Sequence, residues 1–203
     1  MATYHVENFG CRATQADGAA IERQLLERGL QRAPEGRQAE VVVLNTCTVT
    51  ASADQDVRAA IRRIHRANPD AKILVTGCYA QRAPEELAKL PGVDFVVGNS
   101  HKHQVADLVV GRGAVDDGFV PLAELASGSS GHVVVGDIFA HTELLAAPVF
   151  PGGDVETGEK TRPNLKVQDG CNNRCSFCII PYVRGKSRSL KLDEVVREVN
   201  ALV

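Results

Sequence analysis

Over residues 2 to about 112, short apolar β-rich runs alternate with longer stretches whose apolar side chains recur every three or four positions. This is the rhythm of parallel strands joined by crossover helices. It predicts strands over 4–9, 40–45, 72–76 and 94–97, the last three mostly Val, Ile, Leu and Phe, as in strands covered on both faces. In 15–28 the residues Ala19, Ile21, Leu25 and Leu26 fall toward one face, and in 54–66 so do Val57, Ile61 and Ile64, so both segments read as helices. Gly29 and the Asn68-Pro69 pair end them, Pro84 suits the first turn of a shorter helix over 84–89, and a fourth helix covers 102–110.

From 111 to 163 the pattern dissolves: Gly-Ser-Ser-Gly at 128–131 and Pro-Gly-Gly at 151–153 punctuate it, and only 133–139 is strand-like. A structureless loop of that length inside one domain is unusual, so the stretch reads as an interdomain connection. A new strand follows over 164–168, and a helix over 192–203. The expected organisation is an α/β domain over 1–112, a linker with one strand over 113–162, and the start of a second domain over 163–203. The first domain is expected to be an open parallel sheet with helices on both faces.

The composition, 44% hydrophobic and 24% charged, is that of an ordinary globular chain. No apolar run approaches the roughly 20 residues that cross a bilayer, and the first residues lack the basic start and apolar stretch of a secretory signal. The expected location is the cytoplasm, with no membrane partner. The net charge of −2 divides into −7 over 1–159 and +5 over 160–203. A basic closing segment suits a phosphate-bearing partner, although a solvated basic face looks the same.

Six cysteines form two sets of three. Cys171, Cys175 and Cys178 follow a strand as Cys-x3-Cys-x2-Cys, with Phe177 before the last thiol. A zinc site wants a fourth ligand nearby, and none is close: the nearest upstream histidine is His141 and none follows. Three thiolates on a [4Fe–4S] cube leave one iron open for a small molecule. Cys11, Cys47 and Cys78 each follow a predicted parallel strand, so the loops that carry them gather at one edge of the sheet although 36 and 31 positions separate them. Gly10, Thr46 and Gly77 beside them are small enough for a close approach. The plain alternative, three buried apolar cysteines, offers no reason for their recurrence at the same place in successive βα units.

With both sets in view the chain resembles the methylthiotransferases of the radical S-adenosylmethionine (SAM) superfamily. The resemblance is carried by Asn8-Phe9-Gly10-Cys11, Asn45-Thr46-Cys47-Thr48-Val49-Thr50, Thr76-Gly77-Cys78, Val97-Gly98-Asn99 and residues 168–189. It implies that Cys11, Cys47 and Cys78 hold an auxiliary [4Fe–4S] cluster that provides or carries sulfur. Cys171, Cys175 and Cys178 would hold the cluster that cleaves SAM to a radical. It implies two SAM molecules, one giving the methyl group and one the radical, tRNA at the anticodon loop as substrate, an electron donor and a sulfur source. The Asn-Thr-Cys-Thr-Val-Thr stretch looks most like the branch acting on threonylcarbamoyladenosine. Neighbouring branches act on isopentenyladenosine in tRNA or on an aspartate of a ribosomal protein. A rival of another class is a non-catalytic iron–sulfur or zinc module.

The family usually has Asn at the place of Thr14, often Ser at that of Gly18, and a Ser-Arg pair where Ser189 is followed by Leu190. Residues 163–203 are expected to form only the first βα unit of a truncated radical SAM barrel, so the chain is not expected to turn over substrate alone. Phe177, Tyr182 and Arg188 are candidates for cofactor contact, with packing favoured for Phe177. Arg184, Lys186 and Lys191 are candidates for nucleic-acid contact because they follow the cluster loop. The His101-x-His103 pair is expected at the surface, and Arg58, Arg62, Arg63 and Arg66 lie along one helix as a solvated or RNA-facing row.

Overall fold

The computed structural model describes residues 2–33, 39–111, 131–142, 144 and 165–200. The Gly-Ser-Ser run at 128–130, the Pro-Gly-Gly at 151–153, residue 164 and the helix end at 201–203 lie outside them. Six parallel strands form one sheet: β1 (Thr3–Asn8), β2 (Gln31–Arg32), β3 (Val41–Thr46), β4 (Lys72–Gly77), β5 (Val93–Gly98) and β6 (His132–Val134), in the order β2-β1-β3-β4-β5-β6. The four strands expected from the apolar pattern are present within a residue or two. The two-residue β2 carries no apolar run and was not foreseen. The strand expected over 133–139 is the short β6, which pairs with β5 through Phe95↔His132 to Val97↔Val134.

Both faces are covered. Val42, Leu44, Ile73 and Val75 pack with Val57 and Ile61 of α2 (Ala51–Ala67), and with Tyr79 and Leu87 of the short helices α3 (Cys78–Arg82) and α4 (Pro84–Ala88). The alternate residues Val41, Val43 and Leu74 pack on the opposite face, with Ile21 and Leu25 of α1 (Arg12–Glu27) and Val105 of α5 (Val105–Val110). Period-two alternation therefore feeds two separate cores. Between β5 and α5 the chain forms a 3₁₀ turn, Asn99–Gln104, where a helix from residue 102 was expected. The face of α1 also differs from expectation: Thr14, Asp17, Gly18, Ile21 and Leu25 are buried, while Leu26 is 40% exposed.

With α1 and α2 on opposite faces, the strand order reverses between β1 and β3, and the carboxyl edge at such a reversal is the usual ligand position in open α/β sheets. Gly18 is explained by packing: a Cβ there would overlap the Asn8 carboxamide, so the serine often found here in the family the chain resembles would not fit this loop as it stands.

The remaining described residues build a small unit. β7 (Gln168–Asp169) pairs antiparallel with β8 (Arg188–Ser189), and between them lie the cysteine loop and α6 (Ile180–Arg184). The strand expected over 164–168 is confined to β7. Helix α7 (Leu192–Asn200) follows, with Leu192, Val196 and Val199 exposed along one side. Among the described residues no helix is long and apolar enough to cross a membrane.

Candidate metal centre

Cys11, Cys47 and Cys78 stand at the carboxyl ends of three neighbouring strands, β1, β3 and β4, each about 4.8 Å from the next. Cys47 directly follows β3, Cys78 opens α3, and Cys11 caps α1. Cys47 and Cys78 are buried and Cys11 is exposed. Side-chain hydrogen bonds lock the strand ends together. The Asn45 Nδ2 group donates to Asn8 Oδ1 at 3.0 Å and to the Thr14 carbonyl at 2.7 Å, and the Thr46 hydroxyl donates to the Thr76 carbonyl at 2.6 Å.

Two glycines allow the close approach. Gly10 has φ +100°, and a Cβ on it would overlap that of Cys47 and lie 2.8 Å from its Sγ. Gly77, at φ 102° and ψ −160°, occupies a region essentially closed to other residues, and a Cβ on it would overlap the Thr46 carbonyl. Gly77→Ala is therefore expected to destabilise the fold by more than about 2 kcal/mol, read as a lower urea midpoint, and to displace Cys78.

Although Cys11 is exposed by surface area, protein packed around its sulfur on one side opposes ionisation, yet the Thr14 hydroxyl and backbone N–H, together with the Arg184 charge, hold its thiol below the ordinary value. The Thr14 hydroxyl lies 3.6 Å from Cys11 Sγ, so the departure at this position leaves a polar neighbour in place. A position at a helix N-terminus adds to thiolate character.

The second trio lies on the loop between β7 and α6. The Cys171 N–H donates to the Gly185 carbonyl at 3.1 Å, and the Cys178 N–H to the Cys175 carbonyl at 3.1 Å. Ser187 N–H donates to Asn172 Oδ1 at 3.0 Å, closing the loop. Cys175 is exposed, and Cys171 and Cys178 are half-buried. Phe177 is 91% exposed, which overturns the expectation that it packs. Tyr182 is half-exposed, with its ring edge-on to Phe139 at 6.5 Å.

Arg184 corrects the sequence expectation most sharply. It is not available to a nucleic acid: its side chain is 4% exposed, donating to Asp17 at 3.0 Å and to Asp169 at 2.8 Å. Lys102 joins Asp17 at 2.9 Å, Lys166 bonds to both Asp17 and Asp169, and Arg188 lies 3.8 Å from Asp169. Arg188 also donates to the His141 and Arg184 carbonyls, so most of its fork is occupied within the protein. Burial raises the pKa of Asp17, but Lys102, Arg184 and Lys166 outweigh it and hold the carboxyl far below its usual range. Burial works against the Arg184 charge, yet Asp17, Cys78 and Asp169 keep it above the ordinary arginine value. Burial pushes Lys102 down, against the pull of Asp17.

Asp17, Lys102, Lys166 and Asp169 carry this network with Arg184, and none of these four has a role assigned from sequence. The one available signal was Asp17, a charge placed by helical spacing on the buried stripe of α1. Lys186 and Lys191 are exposed, as expected. His101 and His103 are half-buried rather than at the surface, their rings stacked at 6.3 Å, with His141 a further 6.0 Å beyond His103. In the arginine row, Arg58 pairs with Glu86 and Arg63 with Glu7, both at 3.0 Å.

The donor set of the first trio fits an iron–sulfur cube: three thiols on adjacent strand ends, beside glycines that leave room for backbone approach. Among the described residues no three His, Cys, Asp or Glu side chains converge on a single ion. A cube spreads its thiolates over separate iron corners, a wider arrangement than one ion takes.

Residues 3–98 match the family described as "Uncharacterized protein family UPF0004", and residues 165–203 match the Radical SAM superfamily. The chain is 40% identical over 196 residues to the threonylcarbamoyladenosine tRNA methylthiotransferase MtaB of Aquifex aeolicus, covering 97% of this chain and 43% of that protein. It is 37% identical to MtaB of Bacillus subtilis, covering 100% of this chain and 41% of the relative. It is 32% identical to the tRNA-2-methylthio-N(6)-dimethylallyladenosine synthase of Sorangium cellulosum, covering 100% and 39%. The chain thus spans about two fifths of the length of these relatives. In fold it is similar to the radical SAM methyltransferase TsrM of Kitasatospora setae, with TM-score 0.56 at 15% identity, over 98% of this chain and 45% of that one.

Proposed function

Because this chain belongs to the methylthiotransferase family of radical SAM proteins, we propose that it serves in adding a methylthio group to C2 of threonylcarbamoyladenosine beside the tRNA anticodon. In this reading Cys11, Cys47 and Cys78 hold the auxiliary [4Fe–4S] cluster, and Cys171, Cys175 and Cys178 the radical-generating one. The observation that carries it is the position of three thiols just past adjacent parallel strands, with the second trio tied to the same edge. Asn99 Nδ2 lies 3.6 Å from Cys78 Sγ and donates to the Val183 carbonyl at 2.7 Å, two residues before the Gly185 carbonyl that holds Cys171.

When bound, the clusters supply one electron for the cleavage of SAM and a site for the sulfur. The chain's own residues orient them and exclude water. Burial of Cys47 and Cys78 shields the sulfur side, while the exposed Cys175 and Phe177 leave the radical side open to a cofactor. Phe177 and Tyr182 offer ring faces for the adenine of SAM. Lys186 and Lys191, exposed beyond the loop, suit phosphates of the anticodon loop. Arg184 is withdrawn from that role by its burial. An electron donor and a sulfur source belong to the same proposal, as do the domain limits 1–112, 113–162 and 163–203.

Disruption of the gene, followed by mass spectrometry of the cell's tRNA nucleosides, tests the substrate. The expected result is loss of the methylthio form of threonylcarbamoyladenosine and accumulation of its unmodified parent. Loss of the methylthio isopentenyl nucleoside instead would transfer the protein to the branch that the Sorangium relative's name describes. An unchanged nucleoside profile would remove tRNA from the proposal.

A further inference from the structure

We propose that Arg184, Lys102 and Asn99 are positioning residues of the Cys11, Cys47 and Cys78 centre, compensating its negative charge and coupling it to the Cys171 loop. The inference rests on the reading of that trio as a cluster site.

Among the described residues the buried network does not balance by itself. Two carboxylates, Asp17 and Asp169, face four cations, Lys102, Lys166, Arg184 and Arg188. An uncompensated buried charge is costly, so an excess of cations calls for an anion beside it. The thiol groups stand there. Cys78 Sγ lies 3.6 Å from Asn99 Nδ2, which shares a 3₁₀ turn with Lys102 and donates to the carbonyl of Val183, next to Arg184 in the chain. A cube on three thiolates carries a net negative charge that grows by one on reduction. Two buried polar atoms on this wall, Arg184 Nε and Asn99 Oδ1, have no hydrogen-bond partner among the described residues. Both side chains are thus only partly satisfied by those residues.

The same residues form a mechanical link. Three consecutive residues of one short segment reach both trios. Val183 accepts from Asn99 beside Cys78, Arg184 spans Asp17 and Asp169, and Gly185 accepts from Cys171. Lys102 comes from the sheet domain and Arg184 from the cysteine-loop unit, so the counter-charge of the first centre is complete only when the two units are docked.

The test uses the whole protein with Cys171, Cys175 and Cys178 replaced by alanine, so that iron restored under anaerobic conditions occupies the first trio alone. Its reduction potential is read by redox titration followed by electron paramagnetic resonance. Lys102→Met and Arg184→Gln are each expected to keep the iron and to lower the potential, with at least a tenfold loss in the one-electron reduction equilibrium, about 59 mV. Arg184→Lys keeps the charge and is expected to stay near the parent, which covers the case in which Arg184→Gln does not fold. The charge-neutral pair Asp17→Asn with Lys102→Met is expected to return toward the parent value.

Potentials unmoved by loss of either cation would overturn the inference while leaving the cluster reading intact. So would a charge-neutral pair displaced as far as Lys102→Met alone, which would mark a packing role. A background variant that binds no iron would instead overturn the cluster reading, and this inference with it.

Discussion

Replacing Cys11, Cys47 and Cys78 together with alanine is expected to lower the iron of the anaerobically restored protein from about eight atoms per chain to about four, and the pair Cys171→Ala and Cys175→Ala to do the same from the other side. The two variants should differ in stability. Cys47 and Cys78 are 5% and 2% exposed, so removing their sulfurs leaves small voids in the edge of the core and costs the metal-free protein about 1 kcal/mol or more. Cys175 is exposed and Cys171 half-buried, so their loss should leave the melting of the sheet domain unchanged. Metal analysis with an absorption spectrum reads the first effect and thermal unfolding the second. Stoichiometric zinc without iron would favour a non-catalytic metal module and end the proposed chemistry.

Asp17→Asn is expected to be the most damaging single substitution outside the cysteines, at about 3–5 kcal/mol. Asp17 is 1% exposed and receives Lys102, Lys166 and Arg184 at once. Lys166 and Arg184 keep Asp169 when it is lost, but Lys102, 4% exposed, pairs with no other carboxylate among the described residues. The damage is therefore mostly a stranded ammonium. Adding Lys102→Met should recover much of it, and the double-mutant cycle measures the coupling.

The pH dependence has a definite sign. Burial alone would raise the pKa of Asp17, and also that of Asp169, but the surrounding cations depress both below the ordinary carboxyl value of 3.8. A depressed native pKa contributes stability that is fully present above the unfolded value and is lost as pH falls through the native one. The parent should lose this contribution only in strong acid, below about pH 4, and Asp17→Asn should show a flatter acid limb. Urea midpoints across that range give the comparison.

The sheet was legible because its strands announce themselves without tertiary help. Val41 to Leu44 and Ile73 to Val75 are apolar on both faces, and only burial under two helical layers makes such runs favourable. The cysteines were legible for a related reason: strand, turn and helix follow in fixed order, so a residue just past a parallel strand must arrive at the carboxyl edge. Elements lacking such a pattern were missed, among them β2, with two exposed residues, and α3, which begins at a cysteine. Leu26 was placed in the core because α1 was read from apolar positions alone. The helix is instead turned so that Thr14, Asp17 and Gly18 face inward, which brings the Thr14 carbonyl to Asn45 Nδ2 and the Asp17 carboxylate to the buried cations.

The amino-acid order by itself determined the parallel α/β rhythm and the place of each cysteine, just past a strand or within one short loop, because backbone periodicity and short-range spacing are local properties of the chain. Only the tertiary structure decided what the charges near those thiols do. Arg184, which in sequence reads as a free cation after the cysteine loop, is drawn under the surface by two carboxylates, one of them 167 positions away. Coulomb attraction depends on distance and burial, and neither can be read from sequence separation.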